Sequence, residues 1–169
     1  MQLRQAAQDD AAAIARVHLE TRRTTYRGLL PDAELATGDA EVERFTREWR
    51  ERLAGAGAER IVLVLEDETG EVVGFTAAGW NEPGAEFPCE LYSIYILPAA
   101  QRRGGGRRLL AAVLAHLREQ GAPSLVLWAL AGNPYRGFYA ATGGTVVARR
   151  TLVLGGAEVE EVAYFWRLV

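Results

Sequence analysis

The sequence predicts an α+β fold in which helices cover both faces of a mixed, mostly antiparallel sheet of about seven strands. Two observations lead to this prediction. Short runs rich in β-branched and aromatic residues alternate with longer stretches in which apolar residues recur at helical spacing. In addition, turn-forming residues join several neighbouring apolar runs directly, which is typical of antiparallel hairpins. Together these patterns favour a layered α/β/α arrangement.

The first third of the chain predicts one strand and a helical region. Residues 3–5 form a short opening strand, and Asp9 or Asp10 caps a helix that continues to about Leu19. Residues 24–31 contain two threonines, a glycine and a terminal proline, so we interpret them as a turn.

The middle of the chain predicts two more helices and a β-hairpin. A short helix starts at Asp32, and residues 42–53 form a longer one with apolar residues at helical spacing. A buried strand at 61–65 is followed by the turn signal at 67–70, which leads into a second strand at 72–80.

The last half alternates strands with helices and ends in a hairpin. The expected elements are a strand at 91–97, a helix at 109–117, a strand at 125–130, a short helix at 134–141 and two hairpin strands at 145–154 and 159–168. No internal repeat or low-complexity linker interrupts them, so we expect a single domain over residues 1–169.

Composition and charge narrow the class of protein. Of the 169 residues, 49% are hydrophobic and 24% charged, which is ordinary for a globular protein with a sizeable core. The net charge of −3 argues against a nucleic-acid partner. The longest apolar runs are too short to span a bilayer, and the first residues lack the apolar region of a secretory signal. We therefore expect neither a nucleic-acid nor a membrane partner.

Cysteine and histidine usage bears on location and metal binding. Cys89 is the single cysteine, which excludes an internal disulfide framework and fits a reducing cytoplasm. Cys89 and the two histidines are widely separated, so they do not have the spacing of a metal site. We expect a cytoplasmic protein that binds no metal, with Cys89 as a small buried residue rather than a reactive thiol.

A glycine-rich stretch from Gln101 to Leu110 is the most informative segment. It follows a predicted strand that Pro98 ends, and it opens the predicted helix at 109–117. Glycines let the backbone approach a ligand, and the free amides of a first helical turn attract anions. The segment therefore predicts a site for a ligand that carries phosphates. The alternative is a flexible glycine turn that binds no ligand and precedes an ordinary surface helix.

The spacing of the glycines narrows the type of phosphate ligand. A P-loop requires a lysine, and this chain contains none; a dinucleotide fingerprint requires a glycine where Leu109 stands. The remaining pattern is Q-x-x-G-x-G, formed by Gln101, Gly104 and Gly106. It resembles the pyrophosphate-binding motif of the GNAT superfamily of N-acetyltransferases, which use acetyl-CoA. Another phosphate ligand, such as a nucleotide, is the alternative.

The resemblance implies a GNAT-like fold, whose order of elements matches the order predicted above. It also implies that acetyl-CoA is the co-substrate and that the glycine-rich stretch holds its pyrophosphate. The residues that it assigns to this contact are Arg102, Arg103, Gly104, Gly105, Gly106, Arg107 and Arg108.

A second segment, residues 133–144, resembles the family's N…FY…GF pattern. The resemblance implies that Asn133 contacts the coenzyme arm and that Tyr139 lies beside the sulfur as a general acid. Three departures stand against it. The spacing from Asn133 to Tyr139 is one residue shorter than in the family, Gly144 replaces the final Phe, and Trp128 stands where some members carry a catalytic Glu.

The proposed acid role of Tyr139 has a chemical basis. Acetyl transfer expels a thiolate whose conjugate thiol has a pKa of about 8.5, and a phenol of pKa about 10 can donate a hydrogen bond or proton to it. The alternative is a core tyrosine that packs the short helix against the sheet.

The fourth strand supplies the other expected contacts. The resemblance implies that this strand splays from the fifth, so that the backbone of Ile94, Tyr95 and Ile96 pairs with the coenzyme arm. The amide of Ile96 is the candidate oxyanion donor. Glu90 opens the same strand and is the candidate general base, because an alkylamine is mostly protonated at neutral pH. A solvated strand-end glutamate is the alternative.

We therefore predict an acyltransferase that moves acetyl from acetyl-CoA to a primary amine of a small molecule or peptide, by direct attack in a ternary complex. Tyr26, Arg27, Leu30 and Trp49 lie in the segment expected to form the acceptor wall. A noncatalytic acyl-CoA-binding module is the alternative, motivated by the departures in the second segment. The identity of the acceptor and the oligomeric state, including a homodimer, stay open.

Overall fold

The computed structural model describes residues 1–55, 57 and 59–169, and folds them into one seven-stranded sheet with four α-helices. The elements are β1 (Gln2–Gln5), α1 (Ala11–Tyr26), α2 (Asp39–Ala54), β2 (Arg60–Glu66), β3 (Val72–Trp80), β4 (Cys89–Ile96), α3 (Gly105–Glu119), β5 (Ser124–Leu130), α4 (Arg136–Ala141), β6 (Thr145–Leu154) and β7 (Ala157–Arg167). Short 3-10 turns occupy Gln8–Asp10, Asp32–Leu35 and Pro98–Ala100.

The strands lie in the order β1-β2-β3-β4-β5-β7-β6. Every neighbouring pair is antiparallel except β4 and β5, which run parallel. The predicted α+β class, with a mixed and mostly antiparallel sheet of about seven strands, is confirmed. None of the helices in the described residues is both long and apolar enough to cross a membrane.

Each face of the sheet carries its own core. On one face the apolar stripe of α3, including Leu109, Val113 and Leu117, packs against alternate residues of β5 such as Leu125 and Leu127. On the other face α1 and α2 cover β2 and β3. The main contributors there are Ile14, Val17, Phe45, Trp49, Val64 and Phe75. This division follows from the strand alternation, because successive side chains point to opposite faces.

One correction concerns the end of α1. The sequence predicts a helix to about Leu19 and a turn from residue 24, but the helix continues through Tyr26. The reason is that Thr21 and Thr25 lie on its buried face, so two polar residues extend the buried stripe that apolar residues begin. The chain turns only afterwards, at Gly28, whose φ of 78° favours glycine.

The two central strands separate soon after they begin. Their register contains a single pair, Glu90 with Val126, although β4 and β5 have eight and seven residues. Beyond that pair the inner edges of the two strands face each other across a gap. Unpaired edge groups require other partners, so this gap is where an extended ligand can add to the sheet.

Candidate active site

The glycine-rich stretch forms a tight turn into α3. Gly104 adopts a left-handed conformation with a φ of 81° and stands at the N-cap of the helix, and Arg102 is also left-handed, with a φ of 60°. Left-handed backbone is uncommon for a residue with a side chain. Two such residues close together re-aim the chain so that the first turn of α3 faces the gap between β4 and β5.

The start of α3 presents free backbone amides. The first bond back to the turn runs from the Arg108 amide to the Gly104 carbonyl at 3.2 Å. In the described residues no carbonyl accepts a hydrogen bond from the amides of Gly105, Gly106 or Arg107. These donors, at the positive end of the helix dipole, suit an anionic ligand such as a pyrophosphate.

Two glycines in this turn are closely packed, Gly105 more tightly than Gly106. A Cβ atom on Gly105 would lie 2.5 Å from Cδ2 of Leu65 and 3.2 Å from Cδ1 of Ile96. A Cβ atom on Gly106 would lie 3.3 Å from the ring of Phe138. The turn therefore sits directly on the sheet and on α4, and its amides occupy a fixed position.

Gln101 joins the loop to the end of β4. Its side-chain amide donates a hydrogen bond of 2.9 Å to the carbonyl of Ile96. This contact gives the glutamine of the Q-x-x-G-x-G pattern a structural role, because it ties the strand edge to the turn that carries the free amides.

A cavity of about 390 Å³ runs from this loop along the edge of β4. Its wall comes from α1, β4, the glycine loop and the segment that contains α4. The lining residues are Thr21, Thr25, Tyr26, Ile94, Tyr95, Ile96, Gln101, Arg102, Gly104, Gly105, Gly106, Arg107, Asn133, Tyr135, Phe138 and Tyr139. One continuous space thus joins the free amides at the start of α3 to the edge of β4 and to a buried phenol.

The amide of Ile96 faces this cavity. The next amide, that of Leu97, donates a hydrogen bond of 2.9 Å to the Val73 carbonyl on β3. Successive amides of a strand point to opposite sides, so the amides of Ile96 and Ile94 point away from β3 and toward the gap. Tyr95 differs, because its backbone faces β3 while its side chain lines the cavity.

Tyr139 lies in the wall of the cavity on α4. Only 6% of the residue is exposed, and its ring contacts Tyr164 at a centroid distance of 5.2 Å. Burial raises the pKa of its hydroxyl well above the usual value, and nearby Tyr26 and Tyr164 add to the rise. The phenol therefore stays protonated at neutral pH and can act as a donor.

Known proteins resemble this chain in sequence. Residues 20–144 match the model of the acetyltransferase (GNAT) family. The chain is 34% identical over 166 residues to the uncharacterised N-acetyltransferase YuaI of Bacillus subtilis, a match that covers 97% of this chain and 91% of that protein. The chain belongs to the GNAT acetyltransferase family. The predicted family and the predicted acyltransferase class are thereby confirmed.

Solved structures show the same fold. The protein yncA from Salmonella typhimurium, solved with its cofactor acetyl-CoA, superposes with a TM-score of 0.75 at 24% identity, over 100% of this chain and 94% of that one. PaiA N-acetyltransferase from Thermoplasma acidophilum, in complex with coenzyme A, gives 0.72 at 16% identity, with 98% of each chain covered. The GNAT fold is confirmed, and acetyl-CoA is the co-substrate that this family uses.

One departure from the GNAT pattern has a structural reason, and a second leaves its two residues in one cavity. Where the family carries a final Phe, a Cβ atom on Gly144 would lie 2.7 Å from the ring of Trp166 and 2.9 Å from the Tyr139 carbonyl. Trp166 is almost fully buried and fills this space. The shortened spacing does not separate the two motif residues, since Asn133 and Tyr139 line the same cavity.

The side chain of Asn133, the asparagine of this GNAT motif, is fixed by a hydrogen bond from a nearby backbone amide. Its Oδ1 accepts a hydrogen bond of 2.8 Å from the Tyr135 amide, and only 6% of the residue is exposed. Across the cavity, burial raises the pKa of Tyr26, while hydrogen bonds with Tyr95 and Asn133 counter part of the rise. Asn133 therefore belongs to a polar cluster with two phenols.

Glu90 lies outside the cavity wall. It stands where β4 and β5 still pair, and burial raises the pKa of its carboxyl, countered in part by a hydrogen bond from Asn81 and by Arg150. Arg103 and Arg108 are also absent from the wall, and the Arg108 guanidinium donates a 2.7 Å hydrogen bond to the Met1 carbonyl.

The sequence analysis did not single out Thr21, Thr25, Tyr135 or Phe138, which also line the cavity. The Thr21 hydroxyl is buried and has no hydrogen-bond partner among the described residues. Tyr135 and Phe138 lie within the second motif segment, residues 133–144, where only Asn133 and Tyr139 were given roles. No local motif marks Thr21 and Thr25, because α1 is brought to the cavity only by its packing on the sheet. The helical spacing of Thr21 and Thr25 was the one available signal.

The cysteine and the histidine on α1 do not line the cavity. Cys89 is fully buried, and burial raises the pKa of its thiol to about 11, so it stays uncharged. Burial lowers the pKa of His18 to about 3, helped by Arg22 and Arg52, and Trp49 donates to its Nδ1 at 3.3 Å. Among the described residues, no three metal-ligating side chains form a group that could hold a metal ion.

Proposed function

We propose that this protein is an acetyl-CoA-dependent N-acetyltransferase that acetylates a primary amine of a small molecule or peptide. The observation that carries the proposal is the continuous cavity between the free amides of α3, the open edge of β4 and the buried hydroxyl of Tyr139. Direct attack in a ternary complex follows, because a single space contains both the strand edge and the phenol.

The donor half of the site fits the chemical parts of a coenzyme. Residues 102–108 form the loop that would hold the pyrophosphate, and within it the backbone amides of Gly105, Gly106 and Arg107 are free to donate. The outward amides of Ile94 and Ile96 pair with the amide groups of an extended arm, as a neighbouring strand would. Tyr95 and Asn133 complete the wall.

The chemical step uses three groups of the chain. The Ile96 amide donates to the carbonyl oxygen on which negative charge develops. The amine nitrogen forms a bond to the carbonyl carbon as the carbon–sulfur bond breaks, and Tyr139 donates a proton to the departing sulfur. Glu90, directly or through water, accepts a proton from the amine. An amine that arrives as its ammonium form loses two protons: the first goes to Glu90, and the second leaves the nitrogen as the amide forms. One of the two restores Tyr139, whose own proton is now on the thiol, and the other is released to water.

The raised pKa of the Glu90 carboxyl suits this role. Only about one alkylamine molecule in 2,500 is neutral at pH 7, so a base must compete with a strongly basic amine. A buried carboxylate is a better proton acceptor than a solvated one, because its charged form is less well solvated.

A coupled experiment tests the proposal. Thermal unfolding is measured with acetyl-CoA, coenzyme A, ATP and NAD, and we expect only the two coenzymes to stabilise, by about 2.7 kcal/mol at a hundredfold excess over Kd. Thiol release from acetyl-CoA is then followed across a panel of amines. Stabilisation by ATP alone ends the acetyltransferase proposal. Coenzyme binding without amine-dependent release would instead indicate an acyl-CoA-binding module.

Location and assembly belong to the same proposal. We place the protein in the cytoplasm, because acetyl-CoA is present there and because a reducing compartment suits a single unpaired cysteine. A homodimer is the assembly to test, by light scattering with and without acetyl-CoA.

A further inference from the structure

A second cluster of side chains lies on the sheet face that carries α1, outside the cavity. Cys89 and Leu91 belong to the core under α3, so the intervening Glu90 points to the opposite face. By the same alternation Trp128 points away from the α3 side, since Leu127 and Ala129 lie in that core. Both side chains therefore face the α1 side.

Two residues from the last hairpin complete this acceptor-face cluster, which we define as Glu90, Trp128, Arg150 and Glu161. Glu161 pairs across the strands with Leu130 on one side and with Arg150 on the other. Cross-strand partners share a face. Leu130 in turn packs with Leu30 and Tyr26 at the end of α1, which places Glu161 and Arg150 on the α1 side.

The contacts within the cluster are those of a cation site, and the guanidinium of Arg150 occupies it. The Arg150 guanidinium lies 4.0 Å from the centre of the Trp128 ring, and its Nε donates to Oε2 of Glu161 at 2.8 Å. The Glu161 side chain is only 15% exposed, whereas that of Arg150 is 49% exposed. An aromatic face next to a carboxylate is a common recognition site for a cation.

The cluster adjoins the end of the proposed active-site cavity. Tyr26 lines that cavity and also packs beside Leu130, the strand partner of Glu161. Glu90, the candidate base, belongs to the cluster itself. Phe87 extends the aromatic wall, with its ring 6.3 Å from that of Trp128 in an edge-to-face arrangement.

The chemistry of the reaction says which part of an acceptor such a cluster recognises. The reacting nitrogen must lose its charge before it attacks, so a charge-based site cannot hold it in its reactive form. A carboxylate beside an aromatic face therefore suits a second group that stays cationic. The two glutamates and one arginine leave one net negative charge, which attracts such a group and disfavours an anion.

We propose that the acceptor is a primary amine with a second cationic group, an ammonium or guanidinium, which binds between Trp128 and Glu161 in place of the Arg150 side chain. This inference rests on the proposed function. Arg150 can vacate the position because its long side chain is half exposed and has no hydrogen bond to another strand besides the one to Glu161 among the described residues.

Four acceptors built on a four-carbon chain test the proposal: diaminobutane, aminobutylguanidine, butylamine and aminobutyrate. In the unmodified enzyme we expect kcat/KM for the two dications to exceed that for butylamine at least about tenfold, the worth of one charge-assisted contact. Trp128→Ala should reduce this ratio toward one. Arg150→Ala should increase the ratio several-fold, because it removes the internal competitor for Trp128 and Glu161.

Arg149→Ala is the matched control. Arg149 is the same residue type on the same strand, but it points to the opposite face and pairs with Glu160 at 3.0 Å. We expect it to leave the ratio unchanged. Stabilisation by acetyl-CoA, measured for every variant, shows that the fold and the coenzyme site remain intact.

Two results would overturn the inference. One is an equal kcat/KM for the dications and butylamine. The other is a preference for aminobutyrate that Arg150→Ala abolishes, because Arg150 would then bind an anionic group of the acceptor. Either result leaves the acetyltransferase proposal standing, since butylamine or aminobutyrate is still acetylated. Absence of transfer to every amine, with coenzyme bound, sinks the proposed function instead.

Discussion

The coenzyme half and the acceptor half of the proposed site are built in different ways. The coenzyme half is mostly main chain from one stretch, residues 101–107, together with the edge of β4. The acceptor half is made of side chains on four separate strands, with Glu90, Trp128, Arg150 and Glu161 as its members. The first depends on where glycines allow the backbone to go, and the second on which side chains meet.

This difference teaches how each half responds to change. A backbone site tolerates most side-chain substitutions but not an added Cβ atom at Gly105, where Leu65 lies 2.5 Å away. A side-chain site can change its specificity by single substitutions without disturbing the fold. We therefore expect coenzyme affinity and acceptor turnover to separate cleanly among variants.

The largest effect should come from Tyr139→Phe. The change removes the only proposed proton donor to sulfur while it keeps the buried ring, so we expect kcat to fall about 100-fold, or about 2.7 kcal/mol. Coenzyme Kd, measured by calorimetry, should stay within about twofold. A large loss of coenzyme affinity would break the comparison, because a side chain would then carry part of the backbone half. Unchanged kcat would assign Tyr139 a packing role.

The next effect concerns stability in acid and the core between α1, α2 and the sheet. His18 on α1 stacks on Tyr95 with ring centroids 5.0 Å apart, and burial holds its pKa at about 3. The unfolded chain binds the proton near pH 6.5, so stability present at neutral pH is lost as the pH falls below that value. We expect this residue alone to cost about 2 kcal/mol between pH 6 and pH 4.

His18→Gln tests this expectation, since glutamine keeps an acceptor for the Trp49 indole. Urea unfolding at pH 7, 6, 5 and 4 should show a shallower acid loss for the variant than for the unmodified protein. Arg23→Gln, on the same helix, is a suitable control. Parallel curves for the two proteins would show that His18 is not the group responsible.

A smaller effect is expected at Glu90. Glu90→Gln keeps the size of the side chain but removes the base, so kcat/KM at pH 7 should fall about tenfold. Because burial raises the pKa of this carboxyl, the acid limb of the pH–rate profile should lie above the usual glutamate range and should disappear in the variant. An acid limb that persists in Glu90→Gln assigns the proton transfer to another group or to water.

The smallest expected effects compare two glycines. Gly105→Ala forces a Cβ atom against Leu65 and Ile96, so it should lower the unfolding free energy by about 1 kcal/mol and weaken coenzyme binding. Gly137→Ala, on α4, meets nothing within 4 Å and should raise stability by about 0.5 kcal/mol. Denaturant unfolding and calorimetry measure both. Equal behaviour of the two variants would show that the loop does not rest tightly on the sheet.

Much of the fold and of the coenzyme half could be predicted from short segments. The Q-x-x-G-x-G pattern lies in one turn, so its geometry is local and leaves a clear mark in the sequence. Strand β3 could be predicted from its continuous run of mostly apolar residues and from the turn residues that precede it. The predicted end of α1 was wrong, because threonines such as Thr21 and Thr25 are common in turns. Only their burial beside the cavity shows that the helix continues.

By itself the sequence determined the α+β class, the family and the position of the glycine-rich turn that we propose as the anion site, because each depends on neighbours along the chain. The tertiary structure alone decided that Glu90 lies outside the cavity and that Trp128, Arg150 and Glu161 meet on one face. It also decided that Trp166 fills the space beside Gly144. The physical reason is that strand register and sheet order set these contacts, and both result from packing of the whole core.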